Sequence, residues 1–68
     1  MSKKMLKVIE VLAESETSWE DAANQAIANA SRSVRGIKSI YIKNFEAKVE
    51  DNRIVRYRIN AKISFTLE

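Results

Sequence analysis

From Val55 to Leu67 the chain alternates without a break. The odd positions are apolar: Val55, Tyr57, Ile59, Ala61, Ile63, Phe65 and Leu67. The even ones are polar: Arg56, Arg58, Asn60, Lys62, Ser64 and Thr66. A period of two puts each set on its own face of a β-strand. This run is much longer than the usual strand of about 5–6 residues. In a chain of 68 residues, such a strand needs a cover for its apolar face and a use for its polar one.

The chain is expected to form a single domain over residues 1–68, with a small core. A domain of this size buries only roughly 60 % of its unfolded surface, and help normally comes from disulfides, a metal or oligomerisation. There is no cysteine and no histidine. That excludes disulfides, thiolate metal sites and the usual general base, and leaves oligomerisation as the source of further burial. An enzyme is not expected. No apolar run approaches the roughly 20 residues of a membrane span. Lys7 and Glu10 interrupt the apolar start, so no signal peptide is expected and the default location is cytoplasmic. The net charge of +3 is a mild basic bias.

The elements follow from periodicity. Lys4 to Ala13 reads as the first strand, with Leu6, Val8 and Leu12 on one face and Met5, Ile9 and Val11 on the other. A strand apolar on both faces is covered on both. One helix meets only one of them, so the other implies a second subunit. A helix is expected to run to about Val34, with Trp19, Ala23, Ala26, Ile27, Ala30 and Val34 along one side. Its start fits a capping box from Thr17 to Glu20, with Ser18 and Asp21 as the alternative register. Trp19 reads as an apolar anchor for that end. Gly36, the sole glycine, suits a left-handed C-cap, and Arg32 and Arg35 complement the helix dipole. Ile37 to Val49 is the next strand, with Tyr41, Phe45, Ala47 and Val49 on one face and Ile40 and Ile42 on the other. Glu50-Asp51-Asn52-Arg53 makes a tight hairpin into the alternating strand.

The order is therefore β-α-β-β, an α+β fold with three antiparallel strands and one helix. In such a sheet the third strand must be central. Its odd face packs on the helix, and its even face looks away.

Several segments together resemble the dodecin family. They are Lys7-Val8-Ile9-Glu10-Val11, the helix start from Ser15 to Ala23, the later Ala26 and Ala30, and the ending from Tyr57 to Glu68. The resemblance implies a β-α-β-β sheet wrapped around one helix, assembled into a hollow homododecamer. It also implies a flavin ligand, riboflavin or FMN, stacked on a tryptophan at the start of strand two and bonded by a glutamine after the strand-three tyrosine. Those positions fall here on Ser39 and Arg58, and the family's glycine after strand one falls on Ala13. An aromatic stack contributes about 1 kcal/mol beyond the area it buries. Serine offers neither, so the expected flavin affinity drops by several orders of magnitude. Tyr41 could offer a ring only to a shifted ligand. Arg58 suits an anionic group better than a neutral ring edge.

The segment Thr17-Ser18-Trp19-Glu20 also resembles a branch of the family that lacks the stacking tryptophan and binds calcium. Glu14, Glu16 and Glu20 are the candidate oxygen donors, although capping and dipole complementarity explain acidic residues there equally well. The functional expectation is a dodecin-like homododecameric ligand-binding or storage protein, with weakened flavin binding. The alternative is a calcium-stabilised shell without flavin. A nucleic-acid-binding module is a third reading, carried by Arg56, Arg58, Lys62, Lys43 and Lys48. That face lacks interleaved aromatics, and the chain has no GxxG loop.

Overall fold

The computed structural model describes residues 5–67. Strand β1 spans Met5–Ser15, helix α1 Trp19–Ala30, strand β2 Ile37–Glu50 and strand β3 Arg53–Leu67. All pairing is antiparallel and the sheet order is β1-β3-β2, so the alternating strand is central as expected. Lys4, placed in the first strand by the sequence reading, lies outside the described residues.

The hairpin between β2 and β3 turns through Asp51 and Asn52, both with positive φ (52° and 63°). Two-residue hairpins need that conformation, and Asp and Asn tolerate it better than most residues. Pairing then places Ile59, Ala61, Ile63 and Phe65 under the helix, all buried. Ala22 and Ala26 meet them from α1. Ala22 was not in the expected stripe, yet it is fully buried against Ile59 and Ala61. It lies three residues after Trp19 and four before Ala26, so it belongs to the same helical face.

Three expectations need correction. The helix starts at the alternative register: Ser18 is the N-cap, and its Oγ accepts the Asp21 N–H at 2.9 Å. Ser15 decides this. Its buried Oγ accepts the Thr17 N–H at 2.9 Å and donates to Asp21 Oδ2 at 2.6 Å, which commits Thr17 to the turn. The helix also ends at Ala30 rather than near Val34. Ser31 caps it, and Ser31 Oγ donates to the Ala28 carbonyl at 2.7 Å, a local competitor of helical bonding. Gly36 is left-handed (φ 68°) but lies beyond that cap. It turns the chain into β2, where its carbonyl accepts the Thr66 N–H at 3.0 Å. Arg32 and Arg35 accordingly lie outside the last helical turn.

The third correction concerns β2. Tyr41 and Phe45 do not share a face. Ile42 pairs with Ala61 and Asn44 with Asn60, so Lys43 is an extra residue in a bulge. A bulge reverses which face the later residues occupy. Ile40 and Ile42 before it, and Phe45 and Ala47 after it, all pair with odd residues of β3 on the helix side. Ser39 and Tyr41 pair with Ser64 and Lys62 on the opposite face.

Trp19 anchors the helix N-terminus as expected. Its ring meets Tyr57 edge-on at 4.9 Å between centroids and Phe45 at 5.9 Å. Its indole N–H donates to the Glu46 carbonyl at 2.8 Å, which satisfies one backbone group of an edge strand.

Candidate functional site

The helix covers only part of the sheet. Twelve helical residues span about 18 Å, and fifteen strand residues span about 50 Å. Among the described residues, nothing covers the other face of the sheet. On β1 it carries Leu6, Val8 and Leu12, which are 56 %, 52 % and 69 % exposed. These alternate with Glu10 and Glu14.

Beside this apolar row runs a ladder of ion pairs across all three strands. Arg58 stands directly opposite Glu14 on β1 and Glu46 on β2. Its Nη2 and Nε donate to Glu14 Oε2 at 2.6 and 2.8 Å, and its Nη1 reaches Glu46 at 3.5 Å. Arg56 Nη1 donates to Glu14 Oε1 at 3.3 Å, and its Nη2 lies 4.0 Å from Glu16. Lys43, set in the bulge, reaches over to Glu10 at 3.2 Å. The basic stripe read as a nucleic-acid candidate is thus interleaved with carboxylates, and Lys62 stands opposite Glu10.

These contacts shift the titrations. Hydrogen bonding to Arg58 holds the Glu14 carboxyl below its ordinary value, and Glu14 in turn raises Arg58. Lys43 does the same to Glu10. A carboxyl depressed in the folded state contributes stability above its unfolded value, and that contribution is lost as pH falls through the folded value. Wild-type protein is therefore expected to lose stability on acidification below the ordinary carboxylate range. Glu14→Gln should flatten part of that loss. An unchanged acid slope of the urea midpoint in this variant would contradict the role of the Glu14 contact.

The candidate flavin residues do not converge within one chain. Ser39 Oγ lies 2.6 Å from Ser64 Oγ, and Tyr41, well exposed, stands opposite Lys62. Ser64 and Arg58 are separated along β3 by about 20 Å at ~3.3 Å per residue. No small ligand reaches both Ser39 and Arg58 within one chain. The acidic candidates do not converge either. Glu14 is held by two arginines, Glu16 lies near Arg56, and Glu20 is exposed in the first helical turn. Among the described residues, no three acidic side chains gather closely enough to hold a metal ion. The Glu14 and Glu46 partners of Arg58 were not read from the sequence; the signal was there in the strand register, which sets Glu14 and Glu46 beside Arg58 once β3 is central.

A three-stranded antiparallel sheet in this order, wrapped on one short helix and with an apolar row on its open face, defines a class of small α+β proteins. The dodecin family model matches residues 5–68, and the chain belongs to the dodecin family. Calcium dodecin of Mycobacterium tuberculosis is 34 % identical over 61 residues, covering 90 % of this chain and 86 % of that protein. The structure of that species' calcium dodecin, described as a calcium-chelating antigen with a novel calcium-binding site, superposes with a TM-score of 0.81 at 33 % identity, covering 94 % of this chain and 91 % of that one. The dodecin of Streptomyces coelicolor superposes with a TM-score of 0.93 at 25 % identity, over 100 % of this chain and 97 % of that one. Among the described residues, no helix is long and apolar enough to cross a membrane.

Proposed function

We propose that this chain forms a homododecameric dodecin shell that binds or stores a small ligand other than a stacked flavin, with calcium stabilising the assembly. The observation that carries the reading is the state of the open sheet face. Ser39 presents no ring where the flavin-binding pattern has its tryptophan. Arg58, in place of the amide, is engaged by Glu14 and Glu46. A neutral ring edge would have to displace a bidentate ion pair, which it cannot match.

The kinship with a protein named for calcium supports the cation part of the reading. Glu14, clamped by two guanidinium groups, is the least available donor. Glu16 and Glu20 are the carboxylates left to meet a cation between copies, since hard cations need several oxygens and one chain gathers too few. Binding or storage, rather than catalysis, fits a chain without histidine or cysteine.

Three measurements on one preparation test this. Light scattering should give an assembly many times the 7.8 kDa chain; a monomer would overturn the shell. The protein should be colourless and leave added riboflavin fluorescent; strong quenching would restore the flavin reading. Calcium should raise the melting temperature over chelator, because a ligand that binds only the native state stabilises it. No shift would remove the cation part.

A further inference from the structure

The contact between Glu14 and the two arginines has the form of a ligand in a binding site. Arg56 and Arg58 lie two apart on one strand, so both project from the same face. Their guanidinium groups converge on a single carboxylate. One Glu14 oxygen takes two N–H donors from Arg58 at 2.6 and 2.8 Å, and the other takes one from Arg56 at 3.3 Å. Planar forks grasping both oxygens of one oxyanion are the geometry by which arginine recognises carboxylates and phosphates. Here the oxyanion is part of the chain.

Glu14 is also placed to leave. It lies next to the end of an edge strand, which has no neighbour on its outer side. A polar cleft of about 440 Å³ opens beside it, lined by Glu14, Ser15, Glu16, Thr17 and Arg56 among others. Asp21 also borders this cleft, but its carboxylate accepts from Ser15 and Gln25 and is held on the helix side. The cleft gives the Glu14 side chain somewhere to swing, and because Arg56 also lines it, an incoming anion can approach the arginines from the strand edge.

We propose that Arg56 and Arg58 form a two-guanidinium clamp for a phosphoryl group of a small molecule, held closed by the chain's own Glu14. This deepens the ligand-binding reading above by naming the ligand's chemistry. Glu14 competes as a tethered anion. Its local concentration is high, so wild-type protein takes up free phosphate poorly, and a ligand succeeds when the rest of its structure adds contacts.

The test is calorimetric titration with inorganic phosphate at neutral pH and low salt, with the mass of each variant checked by light scattering. Glu14→Gln should bind at least about tenfold more tightly than wild type, since it loses the competing charge while keeping both arginines. Glu46→Gln removes an equal charge from the weaker partner and should gain far less. Adding Arg58→Gln to Glu14→Gln should abolish the gain. The proposal is overturned if Glu14→Gln binds no better than wild type, if Glu46→Gln matches it, or if the gain survives loss of Arg58. Should Glu14→Gln fail to fold, Glu14→Asp, whose shorter arm loosens the clamp, should show an intermediate gain, and wild-type affinity there would overturn the proposal. A monomeric mass in wild-type protein would refute the shell and leave this comparison readable.

Discussion

Ile59→Ala is expected to destabilise the fold by about 2–5 kcal/mol, toward the upper end of that range. Ile59 is fully buried at the centre of the core. Its cross-strand partners are Ala13 on β1 and Phe45 on β2, and Ala22 lies over it. Three of the surrounding residues, Ala13, Ala22 and Ala61, are alanines without side chains long enough to fill a void. The cost of a large-to-small change rises with the cavity that remains, and this site has little with which to collapse. A small domain has few kcal/mol to lose. The measurement is the urea midpoint at fixed protomer concentration, because self-association shifts apparent stability by mass action. Ile63→Val, which removes one methylene from the other fully buried isoleucine, should cost only about 0.5–1.5 kcal/mol. A loss below about 1 kcal/mol for Ile59→Ala would mean that the core repacks and that the alanine frame is softer than its geometry indicates.

The alternation from Val55 to Leu67 carried most of the architecture. It gave the strand, its central place and its buried face, because a strict period of two has one physical solution. The bulge at Lys43 was not legible for the same reason. An insertion of one residue in β2 leaves two short runs, Ile40–Ile42 and Phe45–Ala47, whose phases disagree. A reading by period alone assigns them to opposite faces, whereas the folded strand slips one residue and turns both toward the helix side. The helix start turned on Ser15, a residue with no pattern of its own, whose hydroxyl is shared between the turn and Asp21. At the candidate site, the sequence singled out Arg58 by its identity. It could not say that Arg58 is already engaged, since that depends on Glu14 and Glu46 arriving from two other strands. Charges on one face of a sheet are neighbours across strands before they are neighbours along the chain.

Leu12→Lys is expected to dissolve the proposed shell while leaving the protomer's secondary structure intact. Leu12 is the most exposed large apolar residue among the described ones, on the open sheet face. Within one chain a lysine there is well tolerated. It would stand between Glu10 and Glu14 on the same face of β1 and opposite Asn60 on β3, at a position exposed enough for its ammonium to stay in water. Between copies the change is severe. Each interface that buries Leu12 loses about 1.5–3 kcal/mol of side-chain burial and must desolvate a charge at a further cost of several kcal/mol. Symmetry repeats that loss in every copy. Light scattering should show the mass falling to small oligomers or monomer, with the far-ultraviolet dichroism of mixed helix and strand preserved near room temperature. The freed chain should then melt far earlier than wild type. Among the described residues its own core holds only Ala22, Ala26, Ile59, Ala61, Ile63 and Phe65, and three of those six are alanines. Leu12→Ala, which keeps the interface neutral, should weaken assembly without abolishing it. If Leu12→Lys retains the wild-type mass, the apolar row on β1 is not what joins the copies, and the burial this small domain needs comes from other exposed apolar residues, among them Tyr41, Phe45, Val49 and Ile54.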